Sequence, residues 1–257
     1  MASSIPSGDG PPWFDGFARA SKVREMQNRL REVIDPNETL ASAAQRFTDM
    51  LFEELFKSVV LARLYATIPF SVLPQPISDY VSSLTKTRGV DAQLKPTTPV
   101  WTLLGSRGMS AAWNDRAQSK NHVGLPLLSA EFVDQFPMVS RLFAQLAIDV
   151  SWQPSSTNDI VLGRLVGTDS TGFFYVEDAR AAVDRLGRPI IPSQDFVKAY
   201  DVRTVFGMGG QYANGTLAAT IVFAREPIAE PLARKLAPLF GSFHAITTPT
   251  VFADRLI

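Results

Sequence analysis

Cysteine is missing from this sequence of 257 residues, and its absence excludes several chemistries at once. A chain without thiols has no disulfide, no thiolate nucleophile, no cysteine-bound zinc and no iron–sulfur cluster. Because only two histidines are present, a conventional zinc site is not expected either. Haem would need His122 or His244 as its ligand, and a single histidine on an apolar helix face is more commonly structural. No cofactor is therefore predicted.

An excess of charge of either sign is also lacking, since 25 Lys and Arg side chains are balanced by 25 Asp and Glu side chains. The basic surplus that is typical of a nucleic-acid-binding protein is absent, so no nucleic-acid partner is predicted. A net charge of zero gives little electrostatic protection against self-association. A homodimer, formed through the helices at the two ends of the chain, is therefore left open.

Long apolar runs are lacking too. The most apolar stretches, around Val59–Ala66 and Ala218–Ala224, have the length of strands, whereas a membrane-spanning helix needs about 20 apolar residues. The polar, turn-rich N-terminus does not have the pattern of a signal peptide. These observations predict a soluble, cytoplasmic protein with no membrane partner.

Helices are predicted near both ends of the chain. Apolar residues three or four positions apart predict a helix over residues 22–34, which either packs on the domain or forms a dimer contact. A second helix is predicted to begin at Asp35, which can cap free N–H groups. Pro36 lies where its missing N–H costs nothing, and Glu38 completes a capping-box arrangement. A last helix is predicted over residues 230–246, with Pro238 expected to kink or break it.

Strands are predicted between these helices, over residues 58–70, 100–104, 202–212 and 216–223. The clearest local pattern is the turn pair Asn214-Gly215, which predicts that the last two strands form a hairpin. Prolines bracket residues 75–98, a looser stretch that we interpret as a surface insertion. This order predicts an α+β fold with a central antiparallel sheet flanked by helices.

Three stretches carry a family resemblance: residues 58–74 (SVVLARLYATIPFSVLP), residues 100–132 with TLLGSRG and WNDR, and residues 191–223 with IPSQDFV and YDVRTVFGMGG. They resemble a GAF-like domain of the kind found at the N-terminus of bacterial sensor kinases and nucleotide cyclases. The resemblance extends over most of residues 35–247. It implies the PAS/GAF superfold and a sensory or regulatory role.

The resemblance also implies a domain organisation. Residues 1–34 are then a tail and a helix, residues 35–247 a single GAF-like domain, and residues 248–257 a tail. Such domains usually precede an output module, and the residues after the last predicted helix leave no room for one. We therefore expect either that the domain acts through a partner or that regulation is not its role.

Some activities of GAF-type proteins are not expected in this chain. Covalent bilin attachment and thiol-dependent methionine sulfoxide reduction would both need a cysteine. The Asn-Lys…Phe…Asp-Glu pattern associated with cyclic-nucleotide-binding GAF domains is not visible. No Gly-x-Ser-x-Gly nucleophile elbow is present. The glycine-rich residues 207–210 lack a following Lys-Ser/Thr and enter a hairpin, so they are not a phosphate loop.

The densest polar cluster of the chain consists of Trp113, Asn114, Asp115, Arg116 and His122. Arg116 and Arg107 could bind an anionic group bidentately, with hydrogen bonds from the neighbouring Asn and Asp. The alternative is structural: Asp115 caps a helix and pairs with Arg116, while His122 fills a core or rim position.

Four further side chains are candidates for the lining of a pocket, because strand residues on the inner face of a GAF-like sheet surround its cavity. They are Trp101, Tyr175, Phe206 and Met208. As large side chains at alternating strand positions, they are equally explained as residues of the hydrophobic core.

Three functions follow from these observations. The leading one is a regulatory domain, without catalytic activity of its own, that binds a small molecule or a signalling partner. The alternative is a protein–protein interaction or scaffold domain with a vestigial pocket filled by its own side chains. The third is a hydrolase or isomerase that uses Asp115 and His122 as acid and base, which requires the two side chains to converge in a cleft.

Overall fold

The computed structural model describes residues 19–116, 119, 122–146 and 171–257, so most of the predicted N-terminal tail lies outside the described residues. Within these ranges, six strands form one sheet: β1 (Val59–Pro69), β2 (Pro99–Gly108), β3 (Gly124–Pro126), β4 (Gly172–Val176), β5 (Thr204–Gln211) and β6 (Leu217–Ala224). Every pair of neighbouring strands is antiparallel, in the order β3-β2-β1-β6-β5-β4. The predicted hairpin is formed by β5 and β6, and Gly215 takes the positive φ of 90° that this kind of turn requires.

Eight α-helices accompany the sheet in the described part of the chain: α1 (Ala20–Val33), α2 (Leu40–Glu54), α3 (Gln75–Thr87), α4 (Ala130–Val133), α5 (Pro137–Gln145), α6 (Gln194–Ala199), α7 (Glu230–Arg234) and α8 (Ala237–Phe252). Short 3-10 turns occur at Phe70–Val72, Asp91–Gln93 and Ala111–Trp113. The prediction of an α+β fold, with a central antiparallel sheet flanked by helices, is confirmed. None of the described helices is long and apolar enough to cross a membrane.

Helices α1, α2 and α8 cover one face of the sheet, which we call the helix face. Their apolar side chains share one buried cluster with alternate residues of the strands, and Phe47 of α2 packs on Phe243 of α8 at a ring distance of 4.9 Å. Gln27 of α1 donates hydrogen bonds to the backbone of Pro238 and to Ser242 of α8. The two helices that flank the domain in sequence therefore pack against each other.

The other face of the sheet, which we call the cavity face, is covered by shorter helices and loops. A second buried cluster joins it to residues of α4, α5 and α6 and to the segment that leads into α6. Each central strand divides its side chains between the two faces. In β1, Leu61 and Tyr65 belong to the cavity face, whereas Ala62 and Leu64 belong to the helix face.

The start of α2 differs from the sequence prediction. Asp35 accepts a hydrogen bond from the backbone of Asn37 in a turn, and Thr39 is the N-cap, accepting from the backbone of Ser42. Glu38 pairs with Arg46 instead of completing a capping box. Asp35 and Thr39 are both residue types that cap helices, and α2 begins after the second of them. The backbone of residues 35–38 forms a turn instead, in which Glu38 N donates to Asp35 O.

Residues 75–98, predicted to be a loose insertion, contain the 13-residue helix α3. Pro76 lies in its first turn, where a missing N–H costs nothing, so this proline begins a helix and does not break one. At the other end of the chain, the predicted helix over residues 230–246 is divided into α7 and α8. Pro238 lies in the first turn of α8, and α8 continues to Phe252, beyond the predicted end.

Candidate ligand-binding site

A cavity of about 370 Å³ opens on the cavity face of the sheet. Its floor is formed by β1, β2, β3 and β6, and its walls by α3, α5, the 3-10 turn at Ala111–Trp113 and residues 191–196. Most of its lining is apolar or aromatic, with a few polar groups. This size and composition fall within the range of small-molecule sites in proteins.

Aromatic side chains give the cavity flat walls. Tyr65 and Trp101 stack almost in parallel, with ring centroids 5.7 Å apart and an interplanar angle of 10°. Phe143 packs edge-on against Trp101, with ring centroids 5.2 Å apart. Nearer the opening, Trp113 packs edge-on against Phe196 at 5.5 Å. These contacts fix the ring orientations, since edge-to-face and offset stacked pairs are the favoured aromatic geometries.

Arg63 places a positive charge in this apolar surrounding, from the middle of the central strand β1. Its guanidinium donates to the Tyr65 hydroxyl at 3.4 Å and to Ser119 Oγ at 3.3 Å, both longer than an ordinary N–H···O hydrogen bond. Its Nε is buried without a hydrogen-bond partner among the described residues. Among the described residues, no carboxylate oxygen lies within 4 Å of a guanidinium nitrogen of Arg63.

Ser106 of β2 lies directly opposite Arg63 in the antiparallel register, so the two side chains share the cavity face of the sheet. The backbone of Ser106 is hydrogen-bonded to Gln45 of α2, whose side chain accepts from Ser106 N at 3.1 Å and donates to Ser106 O at 3.0 Å. Its Oγ is buried and has no hydrogen-bond partner among the described residues. Ser106 is itself buried and does not line the cavity, so of these two neighbouring side chains only Arg63 reaches it.

His122 lies at the rim of the same cavity, with its backbone at a positive φ of 60°. The residue is exposed at this rim, where partial desolvation by the neighbouring protein atoms lowers the pKa of its imidazole, and the positive charge of Arg63 lowers it further. The ring is therefore neutral at pH 7. In that form it carries one donor and one acceptor nitrogen.

The lowered pKa of His122 predicts a contribution to acid sensitivity. Below its ordinary pKa of about 6.5 the histidine of the unfolded chain binds a proton that the folded chain does not take up, so the free energy of unfolding falls as the pH falls towards the folded pKa. We expect the loss of stability between pH 7 and pH 5, measured by urea unfolding, to be smaller in His122→Asn, since asparagine tolerates a positive φ. An unchanged loss would contradict this assignment.

His244 provides the comparison for that measurement. It stacks on Tyr212 at 4.0 Å on the helix face, and burial lowers its pKa as well, partly opposed by a hydrogen bond to the backbone oxygen of Gln211. Its effect on stability has the same sign as that of His122. His122→Asn and a second single variant, His244→Asn, therefore divide the acid sensitivity between the two faces of the sheet.

The structure brings three of the predicted site residues together at the cavity: Trp101, Trp113 and His122. Asn114, Asp115 and Arg116 line a second, smaller cavity of about 240 Å³ beside the start of α2. There Asn114 accepts a hydrogen bond from the backbone of Gly108, and burial lowers the pKa of Arg116, partly opposed by Asp115. Asp115 and His122, the pair considered as acid and base, thus line different cavities.

The remaining predicted residues belong to the helix face. Arg107 lies 3.7 Å from the carboxylate of Asp49 on α2. Phe206 and Met208 are fully buried in the cluster beneath the helices, and Tyr175 packs against that cluster and donates its hydroxyl to the backbone of Ile228 at 2.7 Å. These four side chains do not line the cavity.

Sequence reasoning missed Arg63, which among the described residues lining the cavity is the one that carries a formal charge at pH 7. A usable pattern was present, because Arg63 is the one charged residue in the strand VVLARLYATIP. Charged side chains are almost never fully buried without a partner, so an arginine inside an apolar strand marks a special environment. Among the described residues, no three His, Asp or Glu side chains cluster as a metal site would require.

Comparison with known proteins gives similarity in structure only. No protein-family model matches this sequence, and no curated protein sequence matches it. Similar solved structures include a free methionine-R-sulfoxide reductase from Neisseria meningitidis in complex with its substrate (TM-score 0.48, 10% identity, 91% of this chain and 93% of that chain). They also include the GAF domain of an Acinetobacter phosphoenolpyruvate-protein phosphotransferase (TM-score 0.45, 12% identity, 90% and 92%).

A third similar structure is the phycoerythrobilin-bound GAF domain of a cyanobacterial phytochrome (TM-score 0.43, 9% identity, 91% of this chain and 96% of that chain). These similarities, at identities of 9 to 12% and TM-scores of 0.43 to 0.48, do not extend to ligand or activity. The absence of a cofactor from the present chain stays a prediction. GAF domains, the family that the sequence resembles, are among the solved structures to which this chain is similar.

Proposed function

We propose that this chain is a regulatory domain that binds a small molecule in the cavity on the cavity face of its sheet. The observation that supports the proposal most strongly is the cavity itself: about 370 Å³, lined by ordered aromatic rings and supplied with a few convergent polar groups. Binding pockets in proteins have this combination, in which apolar walls provide affinity and polar groups provide orientation.

The sheet connects the cavity with the helices. In β1, Arg63 and Tyr65 line the cavity, while Leu64 and Ala66, their neighbours in sequence, pack in the cluster beneath α1, α2 and α8. A ligand that shifts β1 therefore acts on residues that contact the helix layer. In this proposal, occupancy of the cavity changes the relative populations of two arrangements of α1 and α8, which would report binding to a partner.

The scaffold function is the second candidate. It is favoured by the second buried cluster, which shows how much of the cavity face is already packed by the chain's own side chains. A scaffold predicts that no small molecule occupies the cavity and that a protein partner co-purifies instead.

Native mass spectrometry of the freshly purified chain tests the proposed function. We expect a non-covalent small molecule that is released on denaturation, or one acquired from a pooled metabolite library. Ile221→Trp should abolish this adduct, because Ile221 lies on the cavity floor directly opposite Arg63 in the pairing of β1 with β6, and an indole there fills the cavity.

Phe56→Trp is the matched control, since Phe56 is 60% exposed and does not line the cavity. The control should retain the adduct. A wild-type chain that stays bare after exposure to the library would contradict the proposed function and favour the scaffold. An adduct that survives in Ile221→Trp would place the binding site elsewhere.

A further inference from the structure

We infer that the ligand of this cavity is a singly charged organic acid: a carboxylate that pairs with Arg63, attached to a flat apolar or aromatic body that lies against Trp101 and Tyr65. This inference rests on the proposed function, because it names the class of molecule that the cavity would bind.

The position of Arg63 provides the first argument. Its charge is held in the central strand of the sheet, its Nε is buried without a partner among the described residues, and its two hydrogen bonds of 3.3 and 3.4 Å go to neutral hydroxyl groups. The Arg63 side chain is half-buried, so part of the guanidinium still meets water, but its buried Nε–H is left without an acceptor, and an unsatisfied buried donor is costly. A bound carboxylate would supply both the opposite charge and the acceptor oxygens.

The form of the guanidinium provides the second argument. Ser106 lies opposite Arg63 on the same face of the sheet, but it is buried and does not line the cavity, so the carboxylate is assigned to Arg63 alone. A carboxylate, with two oxygens and about four lone pairs, can accept two hydrogen bonds from one guanidinium.

The shape of the walls determines the rest of the ligand. The rings of Tyr65 and Trp101 lie within 10° of parallel, and Phe136, Phe196 and Phe223 add further aromatic surface. Flat apolar groups stack on such surfaces more favourably than branched or polar ones. The ligand body is therefore expected to be planar.

The charge of the lining favours a monoanion. Arg63 is the one formal cation among the described lining residues, and the rim His122 is neutral at pH 7 because partial desolvation and the charge of Arg63 lower its pKa. One carboxylate neutralises one guanidinium. A phosphate monoester, with a charge of about −1.5 to −2 at pH 7, would enter the apolar cavity with charge left unpaired.

Isothermal titration calorimetry with three probes of the same shape tests this inference on the wild-type chain. The probes are naphthalene-2-carboxylate, naphthalene-2-carboxamide and 2-naphthyl phosphate. We expect the carboxylate to bind about 10- to 100-fold more tightly than the amide, as one charge-assisted interaction provides, and more tightly than the phosphate. Equal affinity for carboxylate and amide, or tighter binding of the phosphate, would overturn the proposed ligand class.

Arg63→Gln links the preference to this residue. In this variant the carboxylate should bind no more tightly than the amide, with the amide affinity close to that of the wild type. Arg107→Gln is the matched control, because Arg107 lies on the helix face beside Asp49, and it should keep the wild-type preference. A preference for the carboxylate that persists in Arg63→Gln would contradict the assignment to Arg63. If Arg63→Gln does not fold, the comparison of probes on the wild type still decides the ligand class.

The result separates this inference from the proposed function. If carboxylate and amide bind equally and Ile221→Trp abolishes both, the cavity is a small-molecule site but the inferred charge preference is wrong. If none of the three probes binds, the inference fails, and native mass spectrometry then decides whether the proposed function fails with it.

Discussion

Gly105→Ala is expected to lower the free energy of unfolding by about 3 kcal/mol, and the melting temperature by about 6–12 °C. A Cβ at this position would lie 2.4 Å from the backbone oxygen of Ala44 and 2.5 Å from its carbonyl carbon, both in α2. Neither is the end of a flexible side chain, so α2 itself has to move away from β2. That movement would also strain the hydrogen bonds between Gln45 and Ser106.

Gly210→Ala is the matched control for this substitution. Gly210 also lies in a strand, but an added Cβ would meet only an aromatic carbon of Phe240, at an ordinary distance of 3.9 Å. Its effect on thermal unfolding should be within about 1 kcal/mol of zero, because replacing glycine at a compatible position also reduces the entropy of the unfolded chain. Equal melting temperatures for the two variants would contradict the close packing of α2 on β2.

Trp101→Ala is expected to cost about 3–5 kcal/mol of stability in urea unfolding. Trp101 is 3% exposed and is held between the stacked ring of Tyr65 and the edge of Phe143. Removal of the indole would deprive both rings of their partner and enlarge an existing cavity. The side chain thus acts first as a wall that shapes the cavity.

Trp113→Ala provides the comparison, since Trp113 lines the same cavity but is only half-buried at its opening. Trp113→Ala should lower the free energy of unfolding clearly less than Trp101→Ala. It removes mainly the edge-on contact with Phe196 and the tilted contact with Tyr200. A larger loss for Trp113→Ala would mean that the mouth of the cavity, and not its inner wall, stabilises this face of the sheet.

The fold could be predicted from the sequence because its main patterns are local. The turn pair Asn214-Gly215 determines the hairpin, and continuous apolar residues in β1 and β6 indicate buried central strands. Helix boundaries were harder to predict. Pro76 is compatible with either a loop or the first turn of a helix, and only the packing of α3 decides between them.

The site could be predicted only in part, for a physical reason that differs from residue to residue. Both faces of the sheet are covered, so β5 and β6 show no polar alternation that would assign Phe206 and Met208 to one face. Trp113 and Asn114 are adjacent in sequence, yet the 3-10 turn directs them to different cavities. Tertiary structure, and not spacing, brings Arg63 and Ser106 together.

A crystal structure of the chain with naphthalene-2-carboxylate tests the central claim most directly. We expect the naphthalene to lie against Trp101 and Tyr65 and the carboxylate oxygens to lie about 2.7–2.9 Å from the guanidinium nitrogens of Arg63, the distance of a charge-assisted hydrogen bond. A probe bound outside the cavity, or one whose carboxylate points to solvent while Arg63 stays unpaired, would contradict it.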